Sequence, residues 1–148
     1  MKKAKKQRVK PKKFEPFEHT ADIGLVVYGL TLKTLFKNSA SGMFSFLADL
    51  SSITPDKKVF IEVRGIDYES LLINFLNEML FQFNTKKIIF SEFNIKQFKK
   101  YYLKAEISGC RLSELKTGPH YEIKAATYHN LKISRLKNSF ETRILFDI

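Results

Sequence analysis

The hydrophobic pattern changes period part-way along this chain, and that change limits what it can fold into. From Thr31 to Ala48, and again from Asp67 to Asn84, apolar residues recur every three or four positions; beyond Asn84 they recur every second one. The first spacing lines up apolar side chains along one stripe of a helix, and the second puts them on one face of a strand. In the first segment the stripe is Leu32, Leu35, Phe36, Ala40, Met43 and Leu47, and Thr31 is suited to cap its start. In the second it is Leu71, Leu72, Phe75, Leu76, Met79, Leu80 and Phe83, behind Asp67 as N-cap with Glu69 in the first turn. Asn74, Asn77, Glu78 and Gln82 fall on the opposite, polar face of that helix.

Short apolar runs precede both helices: Ile23 to Tyr28, and Val59 to Val63, each closed by a glycine. After Asn84, Ile89, Phe93 and Ile95 alternate with polar residues, as do Tyr101, Leu103, Ala105 and Ile107. Gly109 to Pro119 reads as a loop. Ile123, Ala125 and Thr127 then oppose Lys124, Ala126 and Tyr128, Leu131 and Ile133 continue a short strand, and Phe140, Thr142, Ile144 and Phe146 oppose Glu141, Arg143, Leu145 and Asp147. Broad apolar helix faces need a sheet to cover. The order predicts an α+β fold: a two-layer sandwich with two helices packed on a mixed or largely antiparallel β-sheet, a second smaller sheet being compatible with the strand count. No repeat or interdomain linker interrupts residues 14–148, which read as a single domain.

The 148 residues are 44% hydrophobic, enough for one core. The formal net charge of +11 is concentrated at the start, where Lys2, Lys3, Lys5, Lys6, Arg8, Lys10, Lys12 and Lys13 crowd together. Residues 1–13 therefore read as a flexible basic tail, serving either solubility or attraction to RNA phosphates or an acidic partner. The following Phe14 to His19 is mixed and turn-like. One cysteine, Cys110, excludes an intrachain disulfide and a multi-thiolate metal site. With no apolar run of about 18 residues and no signal-peptide pattern, the expectation is a soluble cytoplasmic protein without a membrane partner.

Enzyme motifs are missing. There is no phosphate-binding Gly-rich loop, no His-Glu-x-x-His and no Gly-x-Ser-x-Gly. Two polar clusters remain. In Glu18-His19-Thr20-Ala21-Asp22, Asp22 is either a turn acid bonded to nearby amides or, with His19, a cation ligand. At the other end, Phe146-Asp147-Ile148 puts a side-chain carboxylate beside the α-carboxylate, either as two solvated charges or as part of an oxygen site for a hard ion. Lys124, on the polar side of its strand, is a solvated lysine or a contact for a phosphate or a partner's carboxylate.

Taken together these motifs resemble the archease family. The resemblance runs in order through His19-Thr20-Ala21-Asp22-Ile23-Gly24, the helix with Leu35-Phe36 and Ala40 to Met43, Asp67-Tyr68-Glu69-Ser70-Leu71-Leu72 with Phe75-Leu76-Asn77-Glu78, Ile123-Lys124-Ala125-Ala126-Thr127-Tyr128-His129, and Phe146-Asp147-Ile148. Phe75 and Phe140 stand where many relatives carry Trp. The resemblance implies a non-enzymatic activator of the GTP-dependent RNA-splicing ligase that joins a 3′-phosphate or 2′,3′-cyclic phosphate end to a 5′-hydroxyl end in tRNA splicing and RNA repair. It implies that the protein promotes guanylylation of the ligase and multiple turnover. It also implies a divalent cation, Ca²⁺ first with Mg²⁺ or Mn²⁺ as alternatives, held by Asp22, Asp147 and Ile148. His19, Lys124 and His129 become candidates for partner contact. Two other readings make different predictions: an RNA-binding chaperone acting on tRNA through its basic surface, and a metal-dependent hydrolase using His19, Asp22 and His129.

Overall fold

The computed structural model describes residues 12–116 and 120–148. The basic-tail reading of the residues before position 12 lies outside them. The residues expected to be turn-like form the first strand, β1 (Phe14–His19), which turns through Thr20 and Ala21 into β2 (Asp22–Gly29). The hairpin pairs Phe14 with Val27 at one end and His19 with Asp22 at the other. The Lys13 carbonyl extends the ladder by accepting from the Tyr28 N–H at 2.9 Å. Pro16 hid this strand from a periodicity reading, and proline is tolerated here because β1 is a sheet edge.

The helices start where their caps place them. α1 (Leu32–Ser45) begins at Thr31, whose Oγ1 accepts from the Thr34 N–H at 3.1 Å. After β3 (Lys57–Arg64), α2 (Tyr68–Lys86) opens on a reciprocal cap: Asp67 Oδ1 accepts from the Ser70 N–H at 2.7 Å, and Ser70 Oγ accepts from the Asp67 N–H at 3.1 Å. Lys87, left-handed at φ 56°, ends it.

The remaining strands are β4 (Ile88–Lys99), β5 (Tyr102–Arg111), β6 (Ala125–Thr127), β7 (Ser134–Arg135) and β8 (Phe140–Asp147). They form two sheets, one of five strands in the order β1-β2-β8-β6 with β7 also against β8, and one of three in the order β3-β5-β4. Every pairing is antiparallel. The α+β architecture expected from the periodicity is therefore present, with the second sheet.

Several local expectations are corrected. β5 runs on through Gly109 to Arg111 rather than breaking into a loop at the glycine. Gly109 faces the β4 bulge between Phe90 and Glu92, and a Cβ there would sit 1.8 Å from the Ile89 carbonyl oxygen. The glycine is needed for close strand approach, not for a turn. In the 123–128 segment Ile123 and Ala126 are the buried residues, while Ala125 and Thr127 are half-buried, so the alternation is broken before β6 begins. The short strand expected at Leu131 and Ile133 is instead Ser134–Arg135.

α1 packs on β2 and β4, and α2 on β3, β4 and β6, so each helix touches strands of both sheets. Phe44 of α1 anchors the shared core. It is fully buried, meets Phe83 and Phe90 edge-on at 6.3 and 5.6 Å, and stacks on Phe93 at 5.5 Å. Burial of one such ring stabilises by about 1.5–3 kcal/mol, and the ring geometry adds to it. Among the described residues no helix is long and apolar enough to cross a membrane.

Candidate functional site

Alternation along β2 and β8 decides which side chains share a surface. Ile23, Leu25 and Val27 of β2, and Thr142, Ile144 and Phe146 of β8, are buried against the helices. Asp22, Gly24, Val26 and Tyr28, with Glu141, Arg143, Leu145 and Asp147, therefore belong to the outer face of the five-stranded sheet. At one end of that face the register sets His19 opposite Asp22, Asp22 opposite Asp147, and Asp147 opposite Ala125. Directly opposed residues on an antiparallel pair have Cβ atoms about 4.5–5.5 Å apart. The structure thus brings Asp22 and Asp147 together although they lie at opposite ends of the chain. Asp22 is half-buried, whereas Asp147 and Ile148 are exposed.

Two devices hold this row in place. On one side the two-residue turn carries Ala21 at φ 62°, a left-handed conformation that brings the chain sharply from β1 into β2. On the other side β6 is fastened to the end of β8: the Lys124 N–H donates to the Asp147 carbonyl at 2.8 Å. The Lys124 side chain is exposed. β6 is fastened in turn by α2. Asn77 accepts from the Ala126 N–H at 2.8 Å and donates to the Ala126 carbonyl at 3.1 Å, while Glu69 accepts from the Ile133 N–H at 3.1 Å. The helix face expected to be merely polar is a clamp for the segment beside Asp147.

His129 lies on the same outer surface but in the neighbouring cleft, with Phe17, Asn130, Arg143 and Leu145. Its ring Nε2 is 3.4 Å from the Asn130 amide nitrogen. At the far end of the face, partial burial and then the Glu15 and Glu141 carboxylates push the Tyr28 phenol up from its ordinary range. A larger hollow of about 610 Å³ lies at that far end, around Tyr28, Leu30, Thr34 and Ser139. It is mainly apolar, and its one carboxylate, Glu15, is paired with Lys12.

An oxygen-donor pair such as Asp22 and Asp147 fits a hard divalent ion in chemistry. Among the described residues no three His, Cys, Asp or Glu side chains are grouped to hold one.

Comparison with known proteins places the chain in a family. The model of the Archease protein family matches residues 14–148, from the first residue of β1 to the last of the chain. The chain belongs to the archease family. Among archease relatives, the Protein archease of Pyrococcus furiosus is 38% identical over 128 residues, covering 84% of this chain and 90% of that protein. The Protein archease of Methanosarcina acetivorans is 33% identical over 141 residues, covering 93% and 97%. The solution structure of Methanobacterium thermoautotrophicum protein 1598 superposes with a TM-score of 0.76 at 30% identity, covering 92% of this chain and 99% of that one. The archease fold is therefore shared over nearly the whole length.

Proposed function

We propose that this archease-family chain is a non-enzymatic activator of a GTP-dependent RNA-splicing ligase. It binds the ligase, promotes its guanylylation and so sustains multiple turnover in joining 3′-phosphate or 2′,3′-cyclic phosphate ends to 5′-hydroxyl ends. The observation that carries the reading is the family match across residues 14–148. The working surface in this reading is the end of the outer sheet face, where Asp22 and Asp147 stand opposite each other. Asp22, Asp147 and the carboxyl group of Ile148 would hold a divalent cation, preferably Ca²⁺, and the ion would supply a fixed positive charge at that surface. Because the protein's own carboxylates form only part of a shell, the remaining positions suit water or groups of the ligase. Lys124, bonded through its backbone to Asp147, and His129, in the adjoining cleft, would with His19 contact the partner.

The test is single-turnover guanylylation of the cognate ligase with GTP, with and without this protein. A rise in the rate or extent of ligase guanylylation on adding the protein, with none in the protein itself, is the expected result. An unchanged ligase over a range of protein and cation concentrations would contradict it.

A further inference from the structure

The cleft beside the carboxylate row is built by a chain of close contacts. On β2, Gly24 stands opposite Phe17 of β1. With no Cβ at Gly24, the Phe17 ring lies down across the strand; an added Cβ would come within 2.3 Å of its Cζ. Arg143 of β8 then lays its guanidinium over that ring, 4.5 Å from the centroid. The opposite wall is the turn after β6, where Asn130 adopts a left-handed φ of 52° and sets its amide beside the His129 ring. The cleft's volume is about 250 Å³, and Leu145 completes the lining. Among the described residues no carboxylate lines the cleft and Arg143 makes no ion pair. Stacking on an aromatic face engages the plane of a guanidinium and leaves its N–H edge for an oxyanion.

We propose that this cleft binds a phosphate group carried on a ribose. Three nitrogen-bearing side chains, Arg143, His129 and Asn130, line it from two walls. A phosphate monoester presents three acceptor oxygens and a double charge, and is a natural partner of a bidentate arginine flanked by further N–H donors. The volume lies just below the ~300–1,000 Å³ of ordinary small-molecule sites. That leaves room for a phosphate and part of its sugar, with Phe17 and Leu145 as an apolar floor. The phosphate belongs to a free nucleotide or to an RNA end. The site is separate from the proposed cation pair, so each can fail without the other.

Binding to the full chain is measured by calorimetry at low and raised salt. The probes are inorganic phosphate, uridine, uridine 3′-monophosphate, and a short RNA ending in either a 3′-phosphate or a 3′-hydroxyl. The phosphorylated mononucleotide or RNA is expected to bind at least about tenfold more tightly than its unphosphorylated counterpart, more weakly as salt rises. Preference for the mononucleotide or for the RNA identifies the source. Arg143→Ala should weaken binding by about tenfold or more, as loss of a charge-assisted bidentate contact does. Arg143→Lys should recover part of it, and His129→Ala should also weaken it. Lys104→Ala, which removes an exposed cation from the other sheet, should leave it unchanged. Circular dichroism of each variant reports that the fold persists. The proposal is overturned if phosphorylated probes bind no better than unphosphorylated ones, if Arg143→Ala and His129→Ala both bind as the parent does, or if a glutamate-rich peptide competes better than any phosphate.

Discussion

Replacing Asn77 by alanine should loosen the surface around Asp147 from behind, without touching it. The Asn77 amide makes two hydrogen bonds to one residue, accepting from the Ala126 N–H at 2.8 Å and donating to its carbonyl at 3.1 Å. Ala126 is 4% exposed, so water cannot readily take over either bond. A hydrogen bond contributes about 0.5–1.5 kcal/mol net, and a buried polar group left without a partner costs about 1–3 kcal/mol. Asn77→Ala should therefore destabilise the docking of β6 by about 2–3 kcal/mol, allowing for partial relaxation toward water. β6 is only three residues long and lies at the sheet edge, so part of that loss appears as local opening. Hydrogen exchange resolves the two: the amides of Lys124 and Ala126 should exchange faster, by up to about 30- to 150-fold if the whole loss is local, while the β4 and β5 amides change less. Asn77→Asp retains the acceptor but sets a charge against the Ala126 carbonyl, and should rescue neither docking nor protection. In ligase assays Asn77→Ala should reduce stimulation in step with β6 protection, even though Asp22 and Asp147 are intact. Unchanged denaturation midpoint and unchanged protection at Ala126 would refute the clamp.

Other consequences follow from single contacts. Gly109→Ala should cost about 3–5 kcal/mol or prevent folding, because its Cβ would fall 1.8 Å from the Ile89 carbonyl; a urea denaturation curve measures it. Asp67 is held below the usual carboxylate range by the Ser70 N–H and then the Ser70 hydroxyl. Its folded value lies below its unfolded one, so its contribution is complete above the unfolded carboxylate range and lost as pH falls through the lowered folded value. Asp67→Asn should flatten the acid limb of the stability–pH profile in that window and leave the neutral region without a new pH dependence. Cys110 is 3% exposed, and burial, with Glu114 and Asp56 behind it, pushes its thiol up. Its reaction with a thiol reagent at neutral pH should be slow in the folded protein and fast in denaturant; rapid labelling without denaturant would contradict that burial.

How much was legible in the sequence depended on how local the cause was. Both helices were readable because their stripes and caps lie within a few residues: Thr31 and Asp67 cap the helices they were expected to cap. The outward side of β8, including Arg143 and Asp147, was also readable from strict alternation. β1 was not, because Pro16 and apolar residues on both of its sides erase the period. The extent of β5 was misread because Gly109 looks like a turn but answers a bulge in another strand. The juxtaposition of Asp22 and Asp147 depends on register between the second strand and the last, and local pattern does not encode long-range register. Family resemblance supplied that pairing in advance, not periodicity. The clamp by Asn77 and the cleft of Phe17, Gly24 and Arg143 escaped for the same reason: each is a contact between elements distant in sequence.

The central claim is that the paired carboxylates at the sheet end enable ligase activation. Its most direct test is single-turnover guanylylation by GTP of the ligase mixed with the parent protein or with the Asp22→Asn, Asp147→Asn double variant, each confirmed folded by circular dichroism. The account expects robust stimulation by the parent, with the double variant leaving the ligase at its unassisted rate. Equal stimulation by a folded double variant would contradict it.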